Sequence, residues 1–266
     1  MKHTKTLKNF YAKYNENERL FKSKAHSIEY YTNMHFLKKL LPKKSKIIEL
    51  WAGHGAYSIE LAKSWYKVIA TDIVPEYVDT MQKTINKKKL KNITTQVVDA
   101  TNLSKFKENE FDAVLIFGPY YHLRTPQLRK KLLQEAKKIV KKSGFIALAY
   151  INRNTTLAYY SKYNIFFSKK EYQELLKRDY KKTNYVDAFL NISFFTSPEE
   201  IEKEIKEVKF QIKKHYICDW LYAILKEYIE KATKEEFDAI LDYHIKTCEI
   251  PSNLWASLHN TVIIKK

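Results

Sequence analysis

The feature that most restricts what this chain can fold into is where it keeps glycine. Only 4 Gly occur in 266 residues. Gly53 and Gly55 follow one short apolar run, Gly118 ends another and Gly144 enters a third. Glycine serves positions where backbone must turn tightly or approach a neighbour closely. A chain that avoids it elsewhere and keeps it at strand ends is marking the loop edges of one sheet.

The runs around those glycines alternate between two periods. Lys46–Leu50 and Lys67–Asp72 read as buried strands, separated by a short helix, Ala56–Ser64, with Ile59, Leu61 and Ala62 inward. Pro75 opens a second helix, where its missing N–H costs nothing, and Tyr77, Val78, Met81 and Ile85 keep helical spacing. Ile93–Val98, Phe111–Phe117 and Phe145–Ile151 are further strands. Thr125 and Pro126 start a helix whose inward face is read as Leu128, Leu132, Leu133, Ala136, Ile139 and Val140. Ser197-Pro198-Glu199-Glu200 is a capping box that opens a helix with Ile201 and Ile205 inward. Lys209–Tyr216 and Leu258–Ile264 read as strands, with helices over Trp220–Glu230 and Glu235–Lys246 between them. Strand and helix in this alternation predict an α/β, doubly wound, mostly parallel seven-stranded sheet.

Charge needs care before it is assigned to nucleic acid. The net charge is +18, yet of 48 basic residues only Arg19, Arg124, Arg129, Arg153 and Arg178 are arginine. Phosphate and base recognition favours the Arg fork over the solvated Lys point charge. Paired lysines are scattered over separate elements, and the Lys, Ile, Asn and Tyr excess fits a compositional bias. A nucleic-acid partner is therefore not favoured. Cys218 and Cys248 stand thirty positions apart without a CxxC pattern, which excludes a disulfide scaffold. His54, His215, His244 and His259 show no metal-ligand spacing, so no metal is expected. No apolar run reaches the length of a signal peptide or a membrane helix, and a cytoplasmic location is expected.

The first strand runs into Glu49-Leu50-Trp51-Ala52-Gly53-His54-Gly55, the second ends at Asp72 before Ile73, and the third ends near Asp99-Ala100. In an open α/β sheet, ligands bind beyond the carboxyl ends of the strands. A glycine turn admits a ligand close to backbone, and acids after the second and third strands can hold hydroxyl and amino groups. These motifs resemble those of the S-adenosylmethionine (SAM)-dependent methyltransferases of the class I, Rossmann-like kind. The resemblance implies SAM as cofactor, Asp72 as its ribose-binding acid and Asp99 with Ala100 as its adenine contacts. It extends to Glu49, Trp51, Ala52, Gly53, Gly55, Ile73, Phe117 and Gly118 as cofactor-side residues. Val114-Leu115-Ile116-Phe117-Gly118-Pro119-Tyr120-Tyr121-His122-Leu123 is similar to the fourth motif of a bacterial subgroup, which also shares Ile28-Glu29-Tyr30-Tyr31-Thr32, Ala149-Tyr150-Ile151, and Cys248-Glu249 followed by Ser257-Leu258-His259. An NAD-dependent oxidoreductase is the rival, but the spacing is E-x-x-x-G-x-G rather than G-x-G-x-x-G.

Trp51 departs from the pattern, since the family has a small residue there. Trp disfavours a positive φ, so the turn is expected to be ordinary, with the indole either packed beneath an aromatic cap or projecting into the cofactor cleft. A blocked cleft would leave a catalytically silent SAM-binding protein. His122 and Tyr121 are the candidate catalytic residues, His122 as a general base or simply as a packed histidine. Between Tyr159 and Phe195 stand eleven aromatics in 37 residues, where the chain average of 14% would give about five. They mark an aromatic-rich helical cap or lid.

The expected organisation is an N-terminal helical segment over residues 1–44 closing over the cofactor and a SAM-binding core over 45–151. A cap follows over 152–196, then the returning strands over 197–266. The expected partner is a small-molecule methyl acceptor with an O, N or C nucleophile, without a defined oligomeric state. The rivals are an RNA or DNA methyltransferase and the silent binder.

Overall fold

The computed structural model describes residues 19–162, 167–176, 192–220 and 222–266. After helix α1 (Lys24–Leu40) the chain forms β1 (Lys46–Leu50), α2 (Ala56–Lys63), β2 (Lys67–Asp72), α3 (Pro75–Lys87) and β3 (Ile93–Val97). Next come β4 (Phe111–Ile116), a 3-10 turn (Tyr120–His122), α4 (Pro126–Ile139) and β5 (Val140–Ile151). Helices α5 (Arg153–Lys162), α6 (Lys169–Leu176) and α7 (Pro198–Glu207) lead to β6 (Gln211–Ile217). The chain closes with α8 (Tyr222–Lys231), α9 (Lys234–Thr247), a 3-10 helix (Pro251–Ala256) and β7 (His259–Lys265).

The strands lie in the order β3-β2-β1-β4-β5-β7-β6. The pairs β1–β2, β1–β4, β2–β3 and β4–β5 are parallel, with Glu49 of β1 opposite Ala70 on one side and Leu115 on the other. From β1 the chain steps outward through β2 and β3, then returns to β4 on the opposite side of β1. The carboxyl ends of β1 and β4 therefore flank the switch point where such sheets bind ligands.

Sequence explains most of the packing. Tyr77, Val78, Met81 and Ile85 of α3 are buried. The Thr125 hydroxyl accepts from the Leu128 N–H at 3.3 Å, capping α4. Leu132, Leu133, Ala136 and Ile139 face inward as read, but Leu128 is 38% exposed. Arg129, 1% exposed, takes the inward place in that turn instead, which an apolar pattern cannot signal. Val140 belongs to β5, not to the helix, because the backbone turns extended there (φ −75, ψ 140). β5 thus starts before Gly144, whose missing Cβ would lie 2.6 Å from the Asp112 carbonyl oxygen where the β4–β5 register shifts. The capping box of α7 is present: the Ser197 N–H donates to Glu200 at 3.0 Å, and the Glu200 N–H donates to the Ser197 hydroxyl at 3.4 Å.

Two compact units divide the chain. One takes in Met34–Ala149, Lys203–Lys214 and Val262–Lys266, and holds β1–β4 with their helices. The other takes in Met1–Asn33, Tyr150–Glu202 and His215–Thr261. In this second unit Ala25, Ile28, Tyr222 and Ile229 form a buried cluster with Leu225, Phe237 and Leu241 against it. Glu230 accepts from the Lys24 and Ala25 N–H groups, satisfying orphan donors at the start of α1. Of the aromatic-rich stretch, Phe167, Phe194 and Phe195 are buried and Tyr172 is 41% exposed. Tyr163, Phe166, Tyr180, Tyr185 and Phe189, the side chains of Tyr159 and Tyr160, and the first 18 residues lie outside the described residues. No helix among the described residues is long and apolar enough to cross a membrane.

Candidate functional site

The turn after β1 carries three left-handed residues in five: Trp51 (φ 59), Gly53 (φ 56) and Gly55 (φ 82). The expectation of an ordinary turn at Trp51 is thus overturned. Two features hold the strained residue in place. The Ala52 N–H donates to the Thr71 carbonyl at 2.8 Å, binding the turn to β2. Gly118 at the end of β4 supplies the space, because a Cβ there would come 3.2 Å from the Trp51 Cβ. The indole stacks on the imidazole of His122 with ring centroids 5.6 Å apart. Gly55 answers to packing as well, since its absent Cβ would fall 2.6 Å from Met81 Sδ of α3.

Asp72 closes the second side. Its carboxylate accepts from the Gly53 N–H and the Val74 N–H, both at 2.9 Å, and the residue is 4% exposed. One acid therefore ties the end of β2 to the glycine turn of β1. Glu49, 2% exposed, accepts from the Ser58 hydroxyl of α2. Burial, with a smaller push from Asp72, raises its carboxyl to about 7. Asp99 stands two residues beyond the observed end of β3, exposed, with Oδ1 accepting from the Thr101 N–H (2.8 Å) and hydroxyl (2.9 Å). Its Oδ2 makes no hydrogen bond among the described residues. Ala100 is buried beside it and Ile73 is half-buried beyond β2.

At the tip of β4, Phe117 packs on Tyr57 with centroids 4.7 Å apart and accepts from the Tyr121 hydroxyl at 2.8 Å. Tyr121 and His122 are both buried and their rings lie 4.7 Å apart. The structure thus brings Glu49, Trp51, Ala52, Gly53, Gly55, Asp72, Phe117, Gly118, Tyr121 and His122 to one edge of one unit, with Asp99 and Ala100 beyond β3. Sequence reading missed Arg129 and Glu204. Arg129 bonds both carboxylate oxygens of Glu204, at 2.9 and 2.8 Å, and Glu204 accepts from the Tyr120 hydroxyl at 2.6 Å. No motif signals a pair 75 residues apart.

The second unit holds a titratable cluster that spacing also concealed. His259 Nδ1 lies 2.6 Å from Asp219 and 3.6 Å from Glu29, whose carboxylate is forked by Arg19 at 2.7 and 3.1 Å. These three residues have atoms near enough to hold a metal ion. Arg19 and the His259 imidazole already face the two carboxylates. Burial alone would lower His259, but Glu29 and Asp219 outweigh it and raise the imidazole above its usual value.

The edge of the first unit fits SAM on its own observations. Asp72 sets an acid at the end of β2 against the glycine turn, where an acceptor of hydroxyl protons would stand. Asp99 Oδ2 makes no hydrogen bond among the described residues, and glycine keeps the turn free of side chains at its second and third left-handed positions. Residues 47–144 match the methyltransferase-domain family. The likeness to a methyltransferase domain covers less than half of the chain.

Among relatives, the chain is 30% identical over 109 residues to the protein-lysine N-methyltransferase EFM2 of Saccharomyces cerevisiae. That match covers 36% of the chain and 26% of the yeast protein, so the chain spans about a quarter of that relative's length. It is 28% identical over 215 residues to an uncharacterised protein of Methanocaldococcus jannaschii, covering 76% of the chain and 87% of that protein. Among solved structures, a SAM-dependent methyltransferase of Methanosarcina mazei matches with a TM-score of 0.60 at 16% identity, covering 87% and 96% of the two chains. One of Thermotoga maritima gives 0.59 at 17% identity, covering 95% and 96%. These two likenesses show the fold of the methyltransferase domain.

Proposed function

We propose that the chain transfers the methyl group of SAM to an O, N or C nucleophile of a small molecule, releasing S-adenosylhomocysteine. The observation that carries this reading is Asp72, buried at the end of β2 and bonded to the glycine turn through the Gly53 N–H. In this reading Asp72 accepts from the ribose hydroxyls and Asp99 from the adenine amino group, with Ala100 and Ile73 lining the ring. The turn from Trp51 to Gly55 takes the methionyl part, and Glu49 steadies that turn from beneath through Ser58. The bound cofactor supplies an electrophilic methyl on a sulfonium.

Tyr121 and His122 shape the rim where the acceptor is aligned, and alignment alone can supply roughly 7–11 kcal/mol of such a barrier. The likeness of Val114–Leu123 to the bacterial fourth motif belongs to this reading.

A small acceptor is favoured over nucleic acid because arginines are few and three of the five are held in ion pairs. Arg19, Arg129 and Arg153 pair with Glu29, Glu204 and Glu200. A protein-lysine acceptor is the second reading, favoured by the yeast relative alone.

One experiment tests these readings together. The purified chain is incubated with methyl-tritiated SAM and a cell extract, which is then separated into small molecules, protein and nucleic acid. Label in the small-molecule fraction is expected. Label in protein or nucleic acid would replace the acceptor class, and failure to bind either SAM or S-adenosylhomocysteine in calorimetry would overturn the activity.

A further inference from the structure

The turn after β4 is gripped from a side that cofactor binding does not explain. Arg129 on α4 donates from Nη1 to the Leu123 carbonyl at 2.9 Å, just past the turn. Its Nε and Nη2 meet the two oxygens of Glu204 on α7, and Glu204 in turn receives the Tyr120 hydroxyl from the first residue of the turn. The guanidinium also lies over the Tyr120 ring, 5.8 Å from its centroid. Two helices thus hold both ends of Tyr120–Leu123 in one closed ring of bonds.

Stability alone is a poor reason for such a pair. Arg129 is 1% exposed, and desolvating a buried ion pair commonly cancels its attraction, so an apolar pair of similar volume would serve the core as well. What an apolar pair could not do is fix a turn by directed bonds. The residues held between Tyr120 and Leu123 are Tyr121 and His122, and His122 stacks on the indole of Trp51. We propose that Arg129 and Glu204 are positioning residues of the methyl-transfer site: they set the turn that holds His122 against Trp51, and through it the cofactor-side turn from Trp51 to Gly55. The inference rests on the assignment of that turn to the cofactor.

The test labels the chain with 5-fluorotryptophan. Four Trp give four fluorine lines, and Trp51 is identified by the line lost in Trp51→Phe. Arg129→Lys keeps the charge but loses the planar fork, and Glu204→Gln keeps the shape but loses the charge. Both should shift or broaden the Trp51 line, leave that of Trp65 in place, and weaken S-adenosylhomocysteine binding about tenfold, the scale of one charged hydrogen bond. Tyr120→Phe removes one bond while keeping the ring, and should act in the same direction to a smaller extent. Ile139→Val loosens the same helix without touching the ring of bonds, and should leave the Trp51 line unmoved.

A Trp51 line unchanged in folded Arg129→Lys and Tyr120→Phe would overturn the proposal. So would an equal shift in Ile139→Val. If the unmutated chain binds no S-adenosylhomocysteine, the cofactor assignment fails and the positioning proposal with it, even where the line moves. If the unmutated chain binds and the variants bind equally well with the line unmoved, only the positioning proposal fails.

Discussion

The indole of Trp51 and the imidazole of His122 stack at 5.6 Å with their planes inclined by 22°. This pairing joins the tips of β1 and β4 through side chains, where the family pattern has a small residue on the β1 side. It needs a left-handed Trp, and the left-handed Trp needs Gly118. The largest side chain of the turn and the smallest on the neighbouring strand are therefore one solution to one packing problem. The Trp51 Nε1 atom is shut from solvent and has no hydrogen-bond partner among the described residues, so the stack also carries an uncompensated cost.

Replacing Trp51 by Gly should accordingly cost less than the usual 3–5 kcal/mol for a buried Trp. The indole is only partly buried, and glycine relieves a left-handed strain of about 1–2 kcal/mol. A net loss of roughly 2 kcal/mol is expected in denaturant titration, with a modest change in SAM affinity. A rise in both stability and affinity would show that the indole obstructs the cleft.

Asp72→Ala removes an acceptor from the Gly53 and Val74 N–H groups as well as from the proposed ribose site. S-adenosylhomocysteine affinity should fall by roughly 1.5–3 kcal/mol, the range for hydrogen bonds to a charged group. Asp72→Asn separates the roles, because its amide oxygen can still accept one backbone bond. If Asp72→Asn folds normally and binds S-adenosylhomocysteine unchanged in calorimetry, Asp72 is not the ribose ligand.

How much of this was legible in the sequence follows from range. β1 and β2 match their runs because a buried central strand is a continuous apolar stretch bounded by turn signals. Thr125 and Ser197 announced their helices because caps act within three residues. The left-handed Trp51 was misread because its permission lies at Gly118, 67 positions away and on another strand. Arg129 with Glu204, and His259 with Asp219 and Glu29, escaped notice for the same reason. Polar pairs between distant segments follow no period, and only the folded chain brings them together.

Glu49 should make its unit less stable as pH rises. Its folded carboxyl sits at about 7 because of burial, against an ordinary value of 4.5. Between those values the unfolded chain has released the proton and the folded one has kept it. Stability is therefore full below about pH 4.5 and lost as pH climbs through 7, by up to roughly 3 kcal/mol. His54, lowered by burial, titrates with the opposite sign below 6.5, so the comparison must be with Glu49→Gln rather than with a theoretical slope. That variant should flatten the rise-with-acid component in pH-dependent denaturation of the unit followed at Trp51. An unchanged slope would mean that Glu49 is ionised in the fold.

His244 should produce the reverse behaviour in the other unit. It lies on α9 at 3% exposure, and its Nε2 has no hydrogen-bond partner among the described residues. Burial lowers the imidazole to about 4, with Asp219 opposing. From pH 6.5 downward the unfolded chain gains a proton that the folded one refuses, so stability is lost progressively until about pH 4, by up to roughly 3 kcal/mol. Neighbouring titrations fall largely elsewhere. Glu29 is held down by Arg19 and His259 despite its burial, so its contribution is lost only below the ordinary carboxylate range. His259, raised by Glu29 and Asp219 despite burial, loses its contribution above 6.5. His26 is lowered by burial and by Lys226, and shares the window, so it persists in any comparison between variants. His244→Leu keeps the volume and removes both the titration and the orphaned nitrogen. Its denaturation midpoint should be nearly level with that of the unmutated chain at pH 7.5 and clearly higher at pH 4.5. Parallel pH profiles for the two proteins would show that His244 is not buried as a neutral imidazole.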